Sequence, residues 1–359
     1  MADKDKKTRK PVWKIVLFTL LSLILLVGIT GSYLAYQWIL QPNVELQGSS
    51  SAFLCIPTGS DFNQVRRLLY SHAYIRDARS FEWVSQWKGY DKKVRPGRYR
   101  IREGMSNNDL VNLLRSGKQE PVRLVFNSLL RKEDLAGKIS RQIEADSLTL
   151  LRLLNDPVFL RKYHTNPANA FLLFIPNTYE FYWNTPAEQF IDRMYREQQD
   201  FWNPARVRKC REEGLSPAQA VILASIVERE TAVDAEKPVI AGVYLNRLRS
   251  NWPLQADPTL IYALDDYTIR RVLDKHKLTD SPYNTYLHTG LPPGPICLPS
   301  ITSIVAVLNA NGDGYMYFCA RDDLSGSHVF AKTLAEHERN AKKYQEALHR
   351  LEQQKKYGS

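Results

Sequence analysis

The sequence predicts an α+β protein carried on one apolar N-terminal helix. Three observations point there: an uncharged apolar run from Ile15, a strand–turn–helix pattern recurring between Phe53 and Ile139, and a mainly helical C-terminal half that closes with a hairpin. At 359 residues the chain has room for two or three domains. A composition of 44% hydrophobic and 24% charged residues is that of an ordinary globular protein with an apolar segment added.

No charged residue occurs from Ile15 to Val44, and Ile15–Tyr36 alone is long enough to cross a bilayer. Lys4, Lys6, Lys7, Arg9, Lys10 and Lys14 precede it against Asp3 and Asp5. The positive-inside rule then makes residues 1–14 a cytoplasmic basic tail, 15–39 a single transmembrane anchor in the inner (cytoplasmic) membrane, and the remainder exported. Trp13 at one end and Tyr33, Tyr36 and Trp38 at the other suit interfacial belts. A cleaved signal peptide is the rival reading, but the run is long for one and no clear small-x-small site follows it. Gln47-Gly48-Ser49-Ser50-Ser51 reads as a flexible spacer, so that 40–51 is expected to be a linker.

The recurring pattern follows. Phe53-Leu54-Cys55-Ile56 reads as a strand, Thr58-Gly59-Ser60 as a turn and cap, and Val65–Tyr70 as a helix. Arg98–Ile101 with Asp109–Leu114, closed by Gly117, is a second copy, and Val122–Phe126 with Lys132–Ile139 a third. This part holds no cluster of acids, His or Cys, and reads equally as a glycan-binding or spacing module and as plain scaffold. Residues 140–215 look mainly helical, interrupted by prolines. Within them the aromatic Phe171–Trp183 stretch suits either a sugar groove or a core.

The C-terminal half is organised around Ser216–Thr231. Ser216 and Gln219 fit a capping box with Pro217 at the first helical position. Leu223, Ile226, Val227 and Glu230 then recur at helical spacing, while Glu228 falls on the face shared with Val221 and Ser225. Glu230 is thus expected on the greasier side, where lost hydration favours the protonated carboxyl. A plain helix end with Glu230 turned to water is the bland alternative. A helix near 235–250, three loop-rich segments, a helix near 300–309 stopped at Asn311-Gly312, a hairpin over 315–331 and a last helix capped by Thr333 and Glu336 complete the chain.

Charge and motif spacing narrow the chemistry. The net charge of +11 suits attraction to an acidic polymer, and with export expected nucleic acid is not a predicted partner. Cys55, Cys210, Cys297 and Cys319 lack zinc-ligand spacing, and His276, His288, His328 and His337 form no paired motif, so no metal site is predicted. Nucleophile-elbow, phosphate-loop and dinucleotide motifs are missing, and no cofactor is implied. Carboxylate chemistry remains: Glu230 on a helix, with Gln255, Asp257, Asn284 and Tyr286 on loops. An acid, amides and aromatic rings are what glycosidic-bond cleavage requires. Asp257 reads equally as the cap of a helix beginning at Pro258-Thr259.

Five ordered segments carry a resemblance: Ile226-Val227-Glu228-Arg229-Glu230-Thr231, Tyr244-Leu245-Asn246-Arg247-Leu248, Leu254-Gln255-Ala256-Asp257-Pro258-Thr259, Tyr283-Asn284-Thr285-Tyr286 and Gly290-Leu291-Pro292-Pro293-Gly294. Together they resemble the signature of the endolytic murein transglycosylase (YceG-like) family. One departure is Asn177, in Ile175-Pro176-Asn177-Thr178-Tyr179, where the family shows Phe-Pro-Asp-Thr-Tyr. The resemblance implies a lysin-motif-like α+β region over 52–126, around Arg95–Gly117, and a catalytic domain over 127–359. It also implies non-hydrolytic cleavage of the MurNAc–GlcNAc bond inside peptidoglycan strands, with Glu230 as the catalytic acid. Gln255, Asn284 and Tyr286 are then expected to hold the sugars, with Asp257 either beside them or structural. Wall-elongation polymerases and transpeptidases are the expected neighbours.

Overall fold

A computed structural model describes residues 12–311 and 313–357. Most of the expected basic tail, and Gly312 of the expected helix stop, lie outside them. The chain divides into two units, one running to Val122 and including Tyr182–Asn184, the other formed by Arg123–Phe181 and the rest.

The first unit starts with α1 (Val12–Leu40), a 29-residue helix long and apolar enough to cross a membrane, whose apolar side chains stand exposed. β1 (Ser51–Ile56), α2 (Phe62–Ser71), α3 (Ala78–Trp87), β2 (Gly97–Arg102) and α4 (Asn107–Ser116) follow. β1 and β2 pair antiparallel, from Ser51 opposite Arg102 to Ile56 opposite Gly97. The first two expected copies therefore do not repeat side by side. Their strands join in one sheet, with α2 and α3 inserted between them. The sequence hid α3 because it is apolar on two faces: Phe81 and Val84 are buried, Trp83 and Trp87 exposed. Ile56, Leu69, Phe81, Tyr90, Tyr99, Ile101, Leu110 and Leu114 form the core. Residues 42–46, expected as linker, are built into it: Val44 and Leu46 are buried, and the Asn43 and Val44 N–H groups donate to Met105 O, both at 3.0 Å. Such fixed backbone cannot act as a tether.

In the second unit, β3 (Val122–Phe126) pairs with β4 (Asn177–Phe181) rather than with a neighbouring copy. Around this pair lie α5 (Lys132–Ser140), α6 (Ser147–Asn155), α7 (Pro157–Leu160), α8 (Ala187–Phe201) and α9 (Pro204–Glu212). The aromatic stretch is core as far as Phe181, while Tyr182 is exposed: the rings of Phe126, Phe174, Tyr179, Phe181 and Phe190 meet one another, and the Tyr179 hydroxyl donates to Ile175 O at 2.5 Å. A second core gathers α10 (Pro217–Glu230), α11 (Lys237–Arg249), α12 (Asp257–Leu264) and α14 (Ile301–Leu308); α13 (Asp274–Lys277) is a single turn in the loop between the last two. An antiparallel hairpin of β5 (Tyr317–Ala320) and β6 (His328–Ala331) leads to α15 (Leu334–Tyr357). Thr333 and Glu336 cap α15 reciprocally, as their spacing predicts.

Candidate active site

The helix α10 forms for the reasons its sequence gives. The Ser216 N–H donates to Gln219 Oε1 at 2.8 Å, the Gln219 N–H returns to Ser216 Oγ at 3.2 Å, and Pro217 occupies the first helical position. Its setting differs from the expectation of one greasy stripe. Every residue from Ala220 to Val227 is buried, because α11, α12 and α14 pack around it. Both carboxylates at its end are therefore withdrawn from water, and what separates them is their partners.

Glu228 is buried to 14% side-chain exposure among groups that favour its charge. Ser300 donates to Glu228 Oε2 through Oγ at 2.5 Å and N–H at 3.3 Å, Ser303 through Oγ, and Lys237 Nζ at 3.4 Å. Burial pushes its pKa up, but the serine hydroxyls and the Lys237 charge outweigh it and hold it below the ordinary carboxyl value. The side chain thus bolts the end of α10 to the N-terminus of α14, where a negative charge is favourable.

Among the described residues, the donor to Glu230 is the hydroxyl of buried Tyr244 on α11. Burial pushes its pKa up to about 7; the nearby Asp257 charge adds to this, while the Tyr244 hydrogen bond and the Arg247 charge hold it back. Arg247, one turn beyond Tyr244, is itself buried. It donates through Nη1 to Leu254 O at 2.5 Å and through Nε to Met316 O at 2.8 Å, fixing the loop that carries Gln255 and Asp257. Tyr244 and Arg247 received no role from the sequence. The available signal was a tyrosine within an apolar helical stripe, whose hydroxyl must find a partner when buried. Thr231 ends the helix: its Oγ1 accepts the Val233 N–H at 3.0 Å and donates to Glu236 Oε2 at 3.3 Å.

The loop residues divide into two kinds. Gln255 and Asp257 are exposed on either side of buried Ala256. Gln255 holds a φ of 52°, in the left-handed region, with its N–H bound to Thr285 O at 2.9 Å. Asp257 does not cap α12, because Ala256 occupies the cap position; its carboxylate instead accepts the Tyr286 hydroxyl at 2.5 Å. Asn284 is buried and spends its amide on Lys277 O, Thr279 O and the Tyr286 N–H, so it lies behind Tyr286 rather than on the exposed side. Asn177 is exposed, with Oδ1 on the Thr178 N–H at 2.8 Å. Gly294 is required by packing: a Cβ there would lie 2.5 Å from Ala168 O. Past Arg229 and Pro258, which line a small hollow with Tyr262, opens a groove of about 360 Å3 bordered by Arg131, Lys132, Phe171 and Tyr267.

Chemically, the arrangement offers a carboxyl that burial pushes toward its protonated form, together with a second carboxyl, Asp257, bonded to a tyrosine, and an acid of this kind is what proton donation to a leaving group needs. Known proteins share the chain that builds it. It is 28% identical over 336 residues to an endolytic murein transglycosylase of Bacillus subtilis (strain 168), covering 88% of this chain and 91% of the relative. One from Streptococcus pneumoniae serotype 2 (strain D39) is 27% identical over 342 residues, 86% of this chain but 62% of that longer protein. The crystal structure of a yceG-like protein from Listeria monocytogenes matches with a TM-score of 0.54 at 27% identity, covering 81% of this chain and 98% of that one. Residues 54–343, from β1 into α15, match the YceG-like family, and the chain belongs to it.

Proposed function

We propose that this chain cleaves the MurNAc–GlcNAc bond within peptidoglycan strands by intramolecular transglycosylation, leaving 1,6-anhydro-MurNAc ends. The names of its relatives support peptidoglycan transglycosylase activity. The observation that carries the reaction is Glu230, a carboxyl pushed up to about 7 by burial, with Tyr244 as its donor. Protonated Glu230 gives its proton to the glycosidic oxygen as the bond to C1 breaks. The muramyl 6-hydroxyl then attacks C1, and the carboxylate takes that hydroxyl proton, restoring the acid. One carboxyl serves both steps and no water enters.

Gln255, Asp257 and Tyr286 face the sugars in this reading, Asp257 placing a negative charge where the oxocarbenium-like centre develops positive charge. Asn284 holds Tyr286 in place from behind. The groove past Arg229 takes the strand as it continues beyond the cleaved bond. The 52–126 region is lysin-motif-like, which the β1–α2–α3–β2 order with its antiparallel pair supports. α1 anchors the chain in the inner membrane with the enzyme exported.

A hydrolytic muramidase is the second reading, favoured by Asp257, whose charge is felt at Glu230 and which could activate a water. Glu228 is unsuited to that role, being committed to Ser300, Ser303 and Lys237. The test of the acid is release of soluble muropeptides by the full chain and by Glu230→Gln. The substitution is expected to lower release at least about 100-fold; equal release from both would remove Glu230 from the chemistry.

A further inference from the structure

The first unit exposes three tryptophans in a row. Trp38, near the end of α1, meets Trp83 edge to face with ring centroids 5.6 Å apart, and Trp83 stacks on Trp87 at 5.9 Å. Trp83 and Trp87 lie four residues apart on α3, hence on one helix face. They are 41% and 62% exposed while the opposite face of α3 is core, so packing within the unit does not account for them. Cations flank the row: Arg79 is one turn before Trp83, and Lys88 Nζ lies 6.0 Å from the Trp87 ring. The junction is fixed, because the side chain of buried Asn107 donates to Trp38 O at 2.8 Å and to Ser80 Oγ at 2.9 Å, tying the end of α1 to α3 and α4.

We propose that Trp83 and Trp87 enter the interfacial layer of the bilayer that α1 crosses, so that the first unit is docked on the membrane surface instead of swinging from it. The occupant of this face is lipid because the row begins on the apolar helix itself and continues its Tyr33, Tyr36 and Trp38 belt outward. An indole ring with an apolar body and one N–H donor suits the headgroup boundary. Exposed Arg79 would meet anionic headgroups there, whereas Lys88 donates to Asn108 and Asn112. The inference rests on α1 being a membrane anchor and holds whatever reaction the second unit performs.

The experiment is fluorescence quenching of the full chain in phosphatidylethanolamine–phosphatidylglycerol vesicles whose acyl chains are brominated near the glycerol end. Wild type is compared with a Trp83→Gln, Trp87→Gln double variant. The emission lost in the double variant, that of two of the seven tryptophans, is expected to be blue-shifted and quenched in wild type. Emission from this pair that is red-shifted and insensitive to the bromines overturns the proposal, provided Trp13 and Trp38 are quenched in both proteins. Loss of quenching from those two as well would overturn the anchor and the docking together.

Discussion

At the scale of residues, two glutamates two positions apart behave oppositely: burial pushes both up, prevails at Glu230, and is outweighed at Glu228 by its donors. Glu228 receives three serine donations and a lysine; Glu230 receives one phenol. The sequence singled out Glu230 for an incomplete reason. A helical stripe identified Glu230 as desolvated, yet Glu228 is withdrawn too, since α11 and α14 cover its side of the helix and leave only Arg229 between the two exposed. What the sequence could not display was which donors reach across from Ser300, some seventy residues on, or from Tyr244. The pH behaviour follows from these partners. In the proposed reaction Glu230 must start a turnover protonated, so with its value at about 7 activity is expected to fall as pH rises through 7. Tyr244 donates to the carboxylate and so favours the ionised form. Tyr244→Phe removes that donor: the alkaline limb of kcat/KM is expected to move to higher pH and the plateau to fall. An unmoved limb would show that the phenol does not govern the acid.

At the scale of elements, the junction of α10 with α14 sets the geometry of the site. Removing the Glu228 carboxylate leaves Lys237, whose side chain is 7% exposed, with only exposed Asp234 as its ion-pair partner at 2.7 Å. Glu228→Ala is expected to cost about 3 kcal/mol in denaturant unfolding, far more than an exposed ion pair would. The folded pKa of Glu228 is depressed, so its contribution is present above the ordinary carboxyl value of 4.5 and is lost as pH falls through the depressed value. An unfolding midpoint unchanged by the substitution at pH 7 would contradict this. Helices with clean caps were legible as elements, α10 and α15 above all, because capping boxes are local. Strand partners were not: three look-alike strand–turn–helix segments gave no sign that β1 seeks β2 across two helices while β3 pairs with distant β4. Pairing is decided by long-range packing, which local spacing does not encode.

At the scale of the whole molecule, an apolar N-terminal helix precedes one α+β unit and a larger one that holds every predicted site residue. The apolar N-terminal helix was legible because bilayer thickness imposes a length and a composition. The boundary after it was misread because Gly48 and three serines look like a spacer, whereas Val44 and Leu46 just before them are core. A soluble form starting at Gln41 is accordingly expected to melt well above one starting at Ser51, which loses both side chains and the backbone bonds to Met105; equal melting would place the boundary where the sequence first put it. In the proposed reaction one carboxyl carries a proton out and back while the sugar closes on itself. Digesting peptidoglycan in water enriched in oxygen-18 tests it most directly, by the mass of the new muramyl ends. Ends lighter than reducing sugars by one water and free of the label are expected; reducing ends carrying oxygen-18 would rule out the intramolecular closure and make the enzyme a hydrolase.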